Sequence, residues 1–423
     1  MTTIEVVRSS SRLVADASSP PSLEFHERRH GALPGPVGDR TSWGLGLVEE
    51  IERAGLTGRG GGGFASFKKM RLALSARRAP VLVANGMEGE PASEKDSFLL
   101  MRAPHLVLDG VELVAAALGC TRTVLCIPKQ ADNIAALVGQ AQKERSASGY
   151  SPARVEVCRL PGRYVAGEES ALVAGVVKRQ ALPSFRPDKS VPLTIGRCPA
   201  LVHNVETLAH VALIARYGAD WFKQLGATEA PGTRLVTISG AVQRPGVVEI
   251  ATGTPIDHII EAARPLDCLQ AVLVGGYGGS WIPRSGLSTP YAPVELGKIG
   301  ASMGAGVLVA LATTACGIAE TARIARYMAA ESAGQCGPCL FGLPAIADDL
   351  QSIADGEGDQ ERLERLLIRC DAVVGRGACR HPDGVVRLVT SALKVFSSDL
   401  QSHVRGASCT ASSRERRIKG GEK

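Results

Sequence analysis

Aromatic residues are scarce: Phe, Trp and Tyr make up 4% of the 423 residues. Single-stranded nucleic acid is gripped by stacking bases on aromatic rings, so this scarcity argues against such a platform. A strong excess of one charge is also missing. The net charge is +6, and much of the visible basicity sits in the N-terminal stretch and in the final "RERRIKGGEK", so no nucleic-acid partner is read from it. No secretory segment is recognisable, because "MTTIEVVRSSSRLVADASSPPS" lacks an apolar core of sufficient length. The cysteines number 11, an odd count, and are scattered; reduced thiols in a cytoplasmic protein are expected. Long apolar runs are nearly absent. Ile299 to Ala319 is uncharged over 21 residues, long enough to span a bilayer. Its strongly apolar part, "GVLVALA", is short, so it is read as a buried strand running into a helix, with no membrane span. No internal repeat is found.

What the chain has is glycine, 48 residues of it, with 45% hydrophobic and 21% charged residues. That suits packed cores with sites built from backbone. Residues 1–40 are Ser/Pro-rich and read as a flexible arm. From 41 to 228, helical spacing alternates with short apolar runs such as "VLVANG", "RTVLCIP" and "RVEVCRL". Alternation of this kind predicts an α/β domain with a Rossmann-like parallel sheet. Residues 229–300 read as strand, strand, helix, strand, a small β-grasp domain. Residues 301–405 read as a helical bundle carrying cysteine loops, and 406–423 as a basic tail.

The glycine stretch "GLTGRGGGGFASFKK" matches neither familiar phosphate loop. A dinucleotide fingerprint needs a strand before it, and a helix precedes here. A Walker loop needs Lys after its last glycine, where Phe64 stands. The physics of an anion nest remains: consecutive N–H groups turned to one side, followed by a helix N-terminus and lysines. A flexible linker is the alternative. Asn85, Glu88 and Glu90 follow the strand "VLVANG" at its carboxyl end, where open α/β sheets bind ligands. Gly167, Glu168 and Glu169 open a later helix, either as ordinary caps or as binders of nucleotide hydroxyls. "ESAGQCGPCLFG" sets Cys336 and Cys339 as C-x-x-C, and Cys379 follows in "GRGACRHPDG". Thiolates so spaced in loops suit iron–sulfur ligation or zinc.

Together these segments resemble the FMN- and NADH-binding flavoprotein subunit of respiratory complex I, and the diaphorase subunits of NAD-linked hydrogenases and formate dehydrogenases. The likeness runs from about residue 30 to about 400 through "GLTGRGGGGF", "VLVANGMEGEP…KD", "YVAGEESAL", "HNVETLA", "ESAGQCGPC" and "GRGAC". The resemblance implies that Gly58, Arg59, Gly60, Gly61 and Lys69 hold FMN, and that Asn85 and Glu88 touch the flavin. It implies that Glu90 and Glu169, with Glu168, lie near flavin and nicotinamide as the catalytic carboxylates. Tyr164 and Gly167 shape the strand end, Asn204 and Thr207 reach the flavin phosphate, and Phe64, with Phe185, flanks the NADH adenine. The resemblance further implies that Cys336, Cys339 and Cys379 would ligate a 4Fe-4S cluster, that hydride would pass from NADH to FMN, and that electrons would leave singly through the cluster to a ferredoxin-like or complex-I-type partner protein.

The sequence departs from the family pattern at several positions. Ala333 occupies the place of the first cluster cysteine, leaving three thiolates. Water, Ser332 or His381 could complete the fourth iron, or the cluster could be 3Fe-4S, or zinc could sit on Cys336, Cys339, Cys379 and His381. Met87 replaces a common Asp, His203 the first Asn of an Asn pair, and Leu72 an aromatic. Two functions are therefore carried forward: an FMN- and cluster-dependent NADH oxidoreductase, and a degenerate non-catalytic or electron-carrier homologue that keeps the fold with an altered or absent cluster, or with zinc in the cysteine site.

Overall fold

The computed structural model describes residues 11–14, 20–35, 39–149, 154–186, 191–266, 269–406 and 409. Five strands form the first sheet: β1 (Val81–Asn85), β2 (Arg122–Pro128), β3 (Val155–Leu160), β4 (Thr194–Ile195) and β5 (Cys198–Asn204). Their order is β3-β2-β1-β5-β4. All neighbours are parallel except the edge pair β4–β5. Alternate residues of β1 feed two cores. Leu82 and Ala84 pack on one face with the helices Pro104–Leu118 and Val205–Lys223. Val81 and Val83 pack on the other with Leu172 and Val173 of the helix Glu169–Val176. Burial on both faces is why such strands read as unbroken apolar runs. The two large helices approach closely because Gly110 lies against the Leu208 backbone, where a Cβ would fall 2.0 Å from the Leu208 carbonyl oxygen.

A two-residue hairpin, β6 (Gly226–Ala227) with β7 (Ala230–Pro231), leads into the second sheet. That sheet comprises β8 (Thr233–Gly240), β9 (Gly246–Ala251), β10 (Leu269–Val274), β11 (Ser280–Pro283) and β12 (Val307–Ala312), ordered β11-β10-β12-β8-β9. The strand expected within Ile299–Ala319 is β12, followed by the helix Gly317–Ala330. It lies between β8 and β10, so the sheet draws a central strand from beyond residue 300, inside the stretch that reads as a helical bundle. Leu308 and Ala310 face the small helix Ile256–Glu261. Val307, Val309 and Leu311 face the C-terminal helices. Burial on both faces, rather than lipid, accounts for the uncharged run, and no described helix is long and apolar enough to cross a membrane. The helices Leu343–Ala354, Gln360–Val373, His381–Val395 and Ser397–Val404 complete the bundle.

The described residues within 1–40, namely 11–14, 20–35 and 39–40, differ from the flexible arm expected there. The helix Leu23–His30 is capped by Ser22, and its buried His26 bonds Asp109 at 2.7 Å. Upstream, the amides of Arg12 and Leu13 donate to the Glu249 carboxylate at 3.0 and 2.9 Å, and the Arg12 guanidinium lies 3.8 Å over the Trp221 ring. Composition suggests a loose arm; buried carboxylates on distant elements dock it. The basic tail falls outside the described residues, apart from Gly406 and Cys409.

Candidate functional site

β2 and β3 leave β1 in one direction, and the chain later returns on its other side as β5. This is the topological switch point where parallel sheets open a ligand crevice. Asn85 and Asn204, the last residues of β1 and β5, are register partners there. The Asn85 Nδ2 donates to the Gly167 carbonyl at 3.0 Å, and its Oδ1 accepts the Met87 amide. The Asn204 Oδ1 caps the helix Val205–Lys223 by accepting the Glu206 amide. Its Nδ2 donates to Asp96 at 2.7 Å and to the Asn85 carbonyl at 3.3 Å.

The glycine loop folds over this crevice. Its stem is closed by the Thr57–Ala65 bridge and by the Gly58 amide on the Phe64 carbonyl at 2.8 Å. The Arg59 amide donates to Thr207 Oγ1 at 2.9 Å, so Thr207 anchors the loop. Beyond that point the amides of Gly60 to Gly63 have no hydrogen-bond partner among the described residues. Gly61 and Gly63 adopt φ of 105° and 60°, which turns successive N–H groups as a nest requires. Gly62 needs no unusual φ, and a Cβ there would meet nothing within 4 Å. The protein itself therefore gives no reason for glycine at 62; a ligand pressed against the backbone would.

The Arg59 side chain turns away from this nest. It is fully buried, donating to Thr57 and to the Pro231 carbonyl, and burial with the neighbouring Arg234 lowers it to about 10. Arg59 thus ties the loop to the β6–β7 hairpin and offers no charge to a phosphate. Lys69 pairs with Glu169 at 3.1 Å and donates to the Val202 carbonyl at 3.3 Å, while Arg186 stands 3.9 Å from Glu169. Glu88 accepts the Asp96 and Ser97 amides and the Ser93 hydroxyl, which caps the helix Lys95–Arg102. Glu168 accepts the Ser170 and Ala171 amides, the ordinary capping role. Phe64 and Phe185 stand exposed, at 53% and 71%, as large apolar faces open to a ligand.

Glu90 sits deeper, receiving the Tyr277 amide at 2.9 Å and the Tyr164 hydroxyl at 3.4 Å. Burial, only partly offset by those hydrogen bonds, raises it to about 7. Tyr164 begins a one-turn segment, Tyr164–Gly167, that touches both halves of the site. Its Gly167 end holds Asn85. Its other end bonds the cysteine loop: the Tyr164 amide to Glu331 at 3.0 Å and Arg163 to the Ser332 carbonyl at 3.1 Å.

In that loop the Leu340 amide donates to the Cys336 carbonyl at 2.9 Å, closing the turn that holds Cys339. Burial first, then the neighbouring Cys336 and Cys379, push the Cys339 thiol up to about 12. Cys379 thus lies close enough for its charge to act on Cys339, though the three sulfurs are not among the described groups whose ligand atoms all lie within 4.8 Å of one another. His381 is buried, 5.2 Å from the Tyr164 ring. Its Nε2 lies 2.8 Å from the Met328 carbonyl, so Nε2 carries the proton. The Nδ1 lone pair is buried without a hydrogen-bond partner among the described residues.

One part of the site has no counterpart in the sequence reading. The Lys95 ammonium is fully buried between Asp96 (2.7 Å) and Glu206 (2.8 Å), and Glu206 also accepts the Leu235 amide. Burial opposes the charge, but the two carboxylates outweigh it and raise Lys95. This triad braces Asn204 from below and binds the first sheet to the second. "KD" and "NVET" are visible in the sequence, but nothing in it pairs them.

Fold and site together define a class: a chain with a switch-point crevice for a phosphorylated ligand, wired by one turn to a cysteine loop. Comparisons agree. The family model described as "Nuo51 FMN-binding domain" matches residues 51–213, and "NADH-ubiquinone oxidoreductase-F iron-sulfur binding region" matches 319–403. The second of the NADH-quinone oxidoreductase F subunits of Rhizobium meliloti is 30% identical over 377 residues, 86% of this chain and 90% of the relative. The F subunit of the Streptomyces coelicolor NADH-quinone oxidoreductase is 28% identical, covering 86% and 84%. A solved NAD+-reducing [NiFe]-hydrogenase in the H2-reduced state superposes with TM-score 0.80 at 30% identity over 92% of this chain. The chain spans 66% of that hydrogenase chain's length. The chain belongs to the family of NADH-quinone oxidoreductase F subunits.

Proposed function

We propose that this chain is the FMN-containing NADH-oxidising subunit of an electron-transfer complex, passing electrons through an iron–sulfur cluster to a partner protein. The observation that carries this reading is the Tyr164–Gly167 turn, which hydrogen-bonds the crevice at one end and the cysteine loop at the other. Bound FMN supplies the conversion of a two-electron hydride into single electrons.

This chain's residues do the rest. The unpaired amides of Gly60 to Gly63 suit the FMN phosphate, and Thr207 and Asn204 hold that loop in place. Asn85, fixed by Gly167 and the Met87 amide, orients a ring edge at the strand end. The Lys69–Glu169–Arg186 line and the exposed Phe64 and Phe185 faces form the NADH side. Glu90 can hold a proton near neutrality beside Tyr164. Cys336, Cys339 and Cys379 would hold the cluster through three irons, and the His381 Nδ1 is the donor available in place of the missing thiolate. The partner is a soluble or peripheral electron carrier docking near that loop.

The test is an absorption spectrum of anaerobically purified, FMN- and iron-reconstituted protein, before and after NADH. Flavin bands that bleach, with a reduced-cluster paramagnetic signal that Cys379→Ala abolishes, are expected. Protein that takes up neither flavin nor iron would leave the degenerate reading, which Ala333 and Met87 favour.

A further inference from the structure

Three metal-competent side chains outside this site converge at the far end of the bundle. Cys316 caps the helix Gly317–Ala330, its Sγ accepting the Ala319 amide at 3.4 Å. His403 lies near the end of the helix Ser397–Val404, and its Nε2 is 3.3 Å from the Cys316 Sγ. Cys409 follows, and its Sγ, the His403 nitrogen and the Cys316 Sγ all lie within 4.8 Å of one another. Cys316 and His403 are 2% and 4% exposed.

We propose that Cys316, His403 and Cys409 form a zinc site that pins Cys409 to the helical bundle. Two thiolates and one imidazole are the donors zinc takes in tetrahedral sites. Ligands of a tetrahedral zinc at about 2.0–2.3 Å stand roughly 3.3–3.8 Å apart, so the group needs only slight contraction to close on a metal. Both cysteines are free thiols. Burial, only partly offset by the Ala319 amide, raises the Cys316 thiol to about 12, so zinc binding there must release a proton. A cavity of about 200 Å³, lined in part by Cys316, Ala319 and Glu320, adjoins the group and has room for a water as fourth ligand. The site is separate from the Cys336 loop: the two flank opposite ends of a 14-residue helix, roughly 21 Å long at 1.5 Å per residue.

The test uses the full chain and zinc alone. Zinc bound per chain is measured by mass spectrometry and competition with a chromophoric chelator, for wild type and for Cys409→Ser and His403→Gln. Wild type should hold a zinc that both substitutions weaken at least 100-fold, and cobalt in its place should give thiolate charge-transfer bands that Cys409→Ser removes. Should the buried His403 variant misfold, Cys409→Ser still decides, because that residue is only partly buried. Alkylation of Cys409 should also slow at least tenfold when zinc is added. Zinc content and cobalt spectrum unchanged by Cys409→Ser, alkylation indifferent to zinc, or a Cys316–Cys409 disulfide in protein isolated without reductant would overturn the proposal.

Discussion

Glu90 shows how much one buried residue can report. Burial raises it from an ordinary 4.5 to about 7, so the folded chain holds this proton more tightly than the unfolded one. The stability it contributes is complete below pH 4.5 and is lost as pH rises through 7. Relative to Glu90→Gln, wild type should lose about 3 kcal/mol between about pH 4 and about pH 8, read from urea unfolding at each pH. A flat difference would show that Glu90 ionises as freely folded as unfolded. Gly62 offers a complementary probe. Its Cβ position is open, so Gly62→Asp should leave the melting temperature of the flavin-free protein unchanged. A carboxylate in a nest of amides excludes an anion, and FMN affinity should fall by about tenfold or more in a fluorescence titration. Equal affinity would move the phosphate elsewhere.

Among the elements, the helix Lys95–Arg102 matters beyond its length. It presents Lys95 to Glu206 of the helix Val205–Lys223 and Asp96 to Asn204. Removing the cation strands two buried carboxylates, so Lys95→Met should destabilise the fold by about 3–5 kcal/mol in chemical denaturation. A loss under about 1 kcal/mol would mean the carboxylates take up protons at little cost. The N-terminal segment is a second such element. Glu249 accepts the amides of Arg12, Leu13 and Val14 and the Thr233 hydroxyl. Glu249→Leu should raise hydrogen exchange at Leu13 and Val14 by about tenfold or more. Unchanged protection would assign the docking to the Arg12–Trp221 stack instead.

At the scale of the whole molecule, two sheets and a bundle meet around the Tyr164–Gly167 turn, and the proposed electron path crosses that junction. Ala333 stands where the family resemblance places the first cluster cysteine. Ala333→Cys should restore a fourth thiolate, raising iron and sulfide retained through gel filtration by at least about twofold and shifting the cluster's potential downward. No change in retention or potential would show that another ligand, His381 foremost, already fills the position. That variant should leave flavin content alone, because the loop's bonds to the Tyr164–Gly167 turn run through Glu331 and Ser332, which stay unchanged.

The sequence determined much of this on its own. Apolar runs at strand length, helical spacing between them, and glycine and cysteine at loop positions disclosed the α/β class, the glycine loop and the thiol set, because these are local patterns of period and backbone freedom. β5 was not legible: Pro199 and the polar His203–Asn204 end disguise "CPALVHN", and only pairing with β1 makes it a strand. Nor could order along the chain tell that Arg59 turns inward, that Lys95 lies between Asp96 and Glu206, or that Cys316, His403 and Cys409 meet. Those outcomes depend on which buried group finds which partner far along the chain. Burial makes an unpaired charge or donor costly, and only the tertiary structure decides who satisfies it.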